Sequence, residues 1–169
     1  MRHTKSAIRR SMTVIIVMLL LCACGKEKDK TTKPQKFDND FTSTADITQG
    51  DFNCTANIQR GGNGTWQWEF TKPESIAGMT VTLSNDTCSI DFMELCYSIP
   101  CEKLSDYSMI SLISDSIDSL ISGKDVRCTM DNDIKNESGI VSGQDYTAKI
   151  KDGKLTQLEI AKDISAKFT

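Results

Sequence analysis

Cysteine is the residue type best placed to do chemistry in this 169-residue sequence, which holds seven cysteines and a single histidine, His3. His3 lies in a leader expected to be cleaved. Without it the mature chain lacks the base that activates a serine or cysteine nucleophile, and the commonest metal ligand as well. The domain cysteines are Cys54, Cys88, Cys96, Cys101 and Cys128. None forms a C-x-x-C pair, which argues against a thiolate zinc site. Cys96 and Cys101 are the best-placed disulfide pair, five residues apart with Pro100 promoting a turn between them, and export would permit the bridge. Cys54, Cys88 and Cys128 fall on apolar strand faces, where they suit small buried core residues as well as bridge partners.

The acids carry even less. Asp131-Asn132-Asp133 opens like a calcium loop, but Lys135 stands at the fifth position and Asn136 at the sixth, where glycine is required. Asp115 and Asp118 share the polar face of an expected helix, where carboxylates usually serve solvation. No S-x-x-K motif occurs. A non-catalytic chain without cofactor or metal is expected.

The N-terminus is more specific. Arg2, Lys5, Arg9 and Arg10, with no acid among them, precede an apolar run over residues 12–23. That run falls short of the roughly 20 residues a membrane-spanning helix needs, and its layout is that of a secretory signal. Leu21-Cys22-Ala23-Cys24 resembles a bacterial lipobox, with an aliphatic residue at −3 and small residues before the cysteine. The resemblance implies that Cys24 receives diacylglycerol on its sulfur and becomes the mature N-terminus. Cys22 fits less well, because the leucines before it put a large residue at −1. Two or more acyl chains, at ~0.8 kcal/mol per buried CH₂, hold a protein stably at a membrane. The expected location is the extracytoplasmic face of the cell membrane.

The elements behind this anchor divide simply: a signal over residues 1–23, a lipidated cysteine and tether over 24–36, and one domain over 37–169. Residues 25–36 (GKEKDKTTKPQK) contain five Lys against one Glu and one Asp, and no aliphatic or aromatic side chain. Such a segment cannot bury enough to fold, and as a coil it reaches roughly 20 Å. Residues 37–169 carry 11 Lys and Arg against 21 Asp and Glu, a net charge of −10, which argues against nucleic acid as a partner.

Inside the domain the hydrophobic period is two. Phe52, Cys54, Ala56 and Ile58 alternate with polar residues, as do Trp66, Trp68 and Phe70, then Met79, Val81 and Leu83, then Cys88, Ile90 and Phe92. After a break, Val126, Cys128 and Met130 alternate. A polar loop is expected over 131–138, a strand over 139–150, a hairpin at Asp152-Gly153 into a strand over 154–161, and a last strand through Ile164, Ala166 and Phe168. Residues 105–122 instead show helical spacing of Met109, Ile110, Leu112, Ile113, Ile117, Leu120 and Ile121, with Ser105 as N-cap and Gly123 at the C-terminus. The reading is α+β: about eight antiparallel strands and one long amphipathic helix lying on the sheet.

Trp66-Gln67-Trp68-Glu69-Phe70-Thr71-Lys72-Pro73-Glu74, followed by Gly78-Met79-Thr80-Val81-Thr82 and the proline-bearing Ser98-Ile99-Pro100, is similar to small lipoproteins of clostridia and their relatives. These include germination lipoproteins of spore formers, whose fold is like that of the lipoprotein carrier LolA. The resemblance implies a strongly curved sheet forming an incomplete barrel, with its apolar concave face plugged by helix. It supplies no catalytic residue. The carrier's N-terminal helix has no counterpart here, since residues 42–51 are too short and polar for one. Trp66, Trp68 and Phe70 form an aromatic stripe that suits either core packing or the wall of an apolar pocket for acyl chains or a partner segment. The function expected is that of a membrane-anchored surface lipoprotein whose binding domain engages an envelope protein. The alternative is a LolA-like module that binds lipid or another hydrophobic ligand on the concave face.

Overall fold

The alternation read from the sequence runs almost unbroken through the chain. A computed structural model describes residues 32–106 and 108–169, so the signal, Cys22, Cys24 and tether residues 25–31 lie outside the described part. Its strands are β1 (Phe41–Gln49), β2 (Phe52–Arg60), β3 (Trp66–Lys72), β4 (Thr80–Ser84), β5 (Thr87–Phe92) and β6 (Leu95–Pro100), then β7 (Arg127–Asp131), β8 (Ile134–Val141), β9 (Gln144–Lys151), β10 (Lys154–Ile160) and β11 (Ile164–Phe168). One helix, α1 (Met109–Ser122), joins the two series.

All the strands belong to one curved antiparallel sheet in the order β6-β5-β4-β3-β2-β1-β11-β10-β9-β8-β7. Each series is a meander of adjacent hairpins. The two meanders meet where β1 pairs with β11, with Ala45 opposite Phe168 and Gln49 opposite Ile164. The sheet does not close, since β6 and β7 end it and do not pair with each other.

One face is packed. Ala45, Ile47, Cys54, Ala56, Ile58, Trp68, Ala148, Leu158 and Ala166 are all buried there. The fully buried Ala45, Ala56, Ala148 and Ala166 lie on the strands β1, β2, β9 and β11. The helix crosses the concave side, reaching β3 at one flank and β8 and β10 at the other.

Three strands are present that the alternation did not announce. β1 (FTSTADITQ) pairs along its full length with β2 although only Ala45 and Ile47 in it are buried. β6 was lost among exposed residues. β8 begins within the expected polar loop, and the expected strand over 139–150 is a hairpin, turning at Ser142-Gly143 with φ of 47° and 75°. The inward positions of β8 include Lys135, Glu137 and Gly139, which makes the strand read as a loop. The helix starts later than expected. Its N-cap is Ser108, whose side chain accepts from the Ser111 N–H at 3.1 Å, while the Ser105 carbonyl accepts from Ser108 in the turn before it. Gly123 closes the helix in the left-handed conformation at φ 62°, donating to Leu120 and Ser119 carbonyls.

Candidate functional site

The aromatic stripe sits beneath the helix. Trp66, Trp68 and Phe70 are at most 3% exposed. Trp68 and Phe70 stack with centroids 6.3 Å apart. Trp68 Nε1 donates to Ser114 Oγ at 3.2 Å, and Trp66 Nε1 donates to Asp118 Oδ2 at 3.1 Å. Asp118 also accepts from Arg60 Nε, and that guanidinium lies 5.9 Å from the Trp66 ring centroid. On the other flank Ser119 Oγ and Tyr146 OH share a hydrogen bond of 2.9 Å. Serines and Asp118, expected on a solvated face, thus form a polar seam between α1 and the indoles and phenol of the sheet.

Trp66, Trp68 and Phe70 are thus buried side chains of the packed face, with α1 held against the two indoles. The cleft that does touch Trp66 holds about 260 Å³, between the first turn of α1 and the β4–β5 turn, beside Leu83, Cys101 and Leu104. That lies below the roughly 300–1,000 Å³ of ordinary ligand pockets.

All five domain cysteines are free thiols. Cys96 and Cys101 do not form the expected bridge. β6 is extended from Leu95 to Pro100, so at roughly 3.3 Å per residue the two Cα atoms stand about 16 Å apart, far outside the 4.4–6.8 Å of a disulfide. They also fall on opposite faces. Cys96 is exposed opposite Asp91, whereas Cys101 packs on the core near Cys88. Burial pushes the Cys54 thiol up to about 11 and raises Cys88 and Cys128 above the usual thiol value, as expected of inert core residues. Among the described residues no cluster of His, Cys, Asp or Glu could hold a metal ion.

Beyond the helix, the packed face continues onto β5 and β6, and toward the β5–β6 tip no described residue covers it. Cys88 is fully buried; next along the strand, Ile90 pairs with Tyr97 and Phe92 with Leu95. Leu95 is 74% exposed, Tyr97 64% and Met93, at the hairpin tip, 75%. The tip turns through Met93 and Glu94 at φ 47° and 69°. Both are in the left-handed region, which costs L-residues roughly 1–2 kcal/mol each. Exposed large apolar side chains on a strained hairpin at a sheet edge form a surface suited to binding. In the sequence Met93, Leu95 and Tyr97 are apolar but stand among polar and small residues with too short an alternation to mark a strand.

Residues 32–36, expected to be free tether, are docked at the opposite end of the sheet. Thr32 N–H donates to the Cys128 carbonyl at 3.3 Å, Lys135 Nζ donates to the Lys33 carbonyl at 3.1 Å, and Gln35 N–H donates to Glu137 Oε1.

No family model matches the chain, and no curated protein matches it. Among solved structures the chain is similar to a LolA superfamily protein from Nitrosomonas europaea, with 13% identity and a TM-score of 0.38 over 75% of this chain and 66% of that one. The chain thus spans just under two thirds of that protein's length.

Proposed function

We propose that this chain is a lipid-anchored extracytoplasmic binding module, held by Cys24, whose β5–β6 edge receives an extended segment of an envelope protein. The observation that carries this reading is the end strand β6, whose outer backbone edge pairs with no described strand and lies beside the exposed side chains of Leu95 and Tyr97. An extended peptide can add to such an edge through main-chain hydrogen bonds, while its alternate side chains meet the apolar face. Residues 85–103 carry four acids, Asp86, Asp91, Glu94 and Glu102, against the single base Lys103. The complementary partner segment is therefore basic as well as apolar.

A photoreactive residue at position 97 of the full-length lipoprotein, activated in native membranes, tests this. The expected result is one dominant crosslinked protein, lost when Leu95→Asp is added. Tight binding of a fluorescent acyl-chain probe by the delipidated protein, without any protein crosslink, would overturn it in favour of a hydrophobic-ligand carrier. An unmodified Cys24 in the intact mass of the membrane-purified protein would remove the anchor from the reading.

A further inference from the structure

Glu137 is the one acid in the described chain that is fully buried. It lies on the packed face of β8, between Cys128 of β7 and Ala148 of β9. An apolar residue would serve packing better there, and the concave row it belongs to is otherwise made of Ala148, Leu158, Ala166 and Ile47. Its cover is the chain's own segment 32–36. Pro34 of that segment lies beside Gly123 at the end of α1, and Gln35 lies beside Gly153 in the β9–β10 turn. The segment therefore straps β7, the helix C-terminus and the β9–β10 turn together over the carboxyl group.

We propose that residues 32–36 form a carboxyl-gated strap, seated on Glu137 while that carboxyl is neutral and released when it ionises. The geometry gives the reason. Glu137 Oε1 accepts from Gln35 N–H, but Oε2 is buried with no hydrogen-bond partner among the described residues. Lys135 Nζ stands 3.9 Å from Oε1, and it donates instead to the Lys33 carbonyl and, at 3.4 Å, to Gln35 Oε1. A buried carboxylate with an unsatisfied oxygen is costly, whereas a neutral carboxyl can stay.

Burial raises the Glu137 carboxyl above its ordinary value. The Gln35 N–H, Lys135 and Cys128 act against burial, and Tyr146 of β9 is the remaining titratable group that faces it. Undocking the strap returns the carboxyl to water and to its ordinary range. A group with a raised value in the docked state favours docking below its ordinary value. That preference is lost as pH rises through the raised one. The strap is thus firmest in mild acid.

Hydrogen exchange of the full chain, read by mass spectrometry over residues 32–37 and corrected for intrinsic exchange, tests the proposal. Protection should fall as pH rises, by about tenfold for each unit between docked and free values. Glu137→Gln should remain protected at every pH. Wild-type protection that does not change with pH would overturn the proposal, as would Glu137→Gln losing protection while the strands stay protected. Lys135→Met provides a second test: its titration should persist and shift upward, and abolished titration would make the lysine the gate. None of these readouts depends on the acyl group at Cys24 or on the β6 edge, so failure of the proposed function leaves this result standing.

Discussion

Trp68 Nε1 donates to Ser114 Oγ at 3.2 Å with both side chains buried, which ties the middle of α1 to the third strand. A helix held by apolar contact alone could slide along its own stripe. An indole N–H that must find one hydroxyl fixes the register, because an unpaired buried donor costs about 1–3 kcal/mol. Ser114→Ala should therefore destabilise the protein by about 1–3 kcal/mol, far more than the loss of one oxygen would at the surface. In a Trp68→Phe background, where the donor is gone, the same change should cost much less. Denaturant unfolding of the four species measures the coupling.

Gly139 makes room for an aromatic ring. A Cβ built there would stand 2.8 Å from Tyr146 Cε1 and Oη, and the two residues face each other across β8 and β9. Gly139→Ala must push the buried ring away and with it the Ser119–Tyr146 hydrogen bond. A loss of about 1–3 kcal/mol is expected, the usual cost of overpacking a core. A smaller loss than that of an exposed control alanine substitution would contradict this packing.

Cys96 should be the first thiol to react in the folded protein, since Cys54, Cys88 and Cys128 are buried. Its reactivity is nevertheless damped. A hydrogen bond to Asp91 and then the charge of that carboxylate raise its thiol above the usual value, so thiolate appears only at more alkaline pH. Asp91→Asn should speed alkylation of Cys96 at pH 8 and shift its pH–rate curve to lower pH. Peptide mapping after a short iodoacetamide pulse reads both.

Replacing Leu95 and Tyr97 together by Asp should leave unfolding stability within about 0.5 kcal/mol, because both side chains already stand in water. The same double substitution should lower capture of the envelope partner at least tenfold. A matched loss of stability would place these residues in the core and remove them as a contact surface.

The period-two runs made the sheet legible wherever the inward residues were large. Trp66, Trp68 and Phe70 announce β3 without ambiguity, and each is buried as the alternation requires. The helix was legible for the same reason, through Leu112, Ile113, Ile117 and Leu120. β8 was not, because its inward Lys135, Glu137 and Gly139 are polar or small, and β1 was not, because only Ala45 and Ile47 in it are buried. Ala45 in β1 is small and Glu137 in β8 meets the strap, so neither sends a hydrophobic signal. The serines of α1 misled in the other direction. Ser114 and Ser116 look like a solvated face but are buried, one accepting from Trp68 and one donating to the Leu112 carbonyl at 2.7 Å. The Cys96–Cys101 spacing suggested a bridged turn because no strand was recognised between them. An extended β6 makes that spacing a separation.

The junction of β1 with β11 sets the order in which the sheet can be assembled. The register that joins the two meanders pairs Ala45 with Phe168, close to opposite ends of the described chain. Among the described strands that pair is the only one the two meanders share, so each can form its own hairpins before the seam closes. Contacts this distant in sequence are slow to form. Local hairpins of the two meanders are therefore expected to form first, and the β1–β11 seam last. Removing β11 should leave the two meanders unjoined, with β1 and β10 each presenting a bare edge.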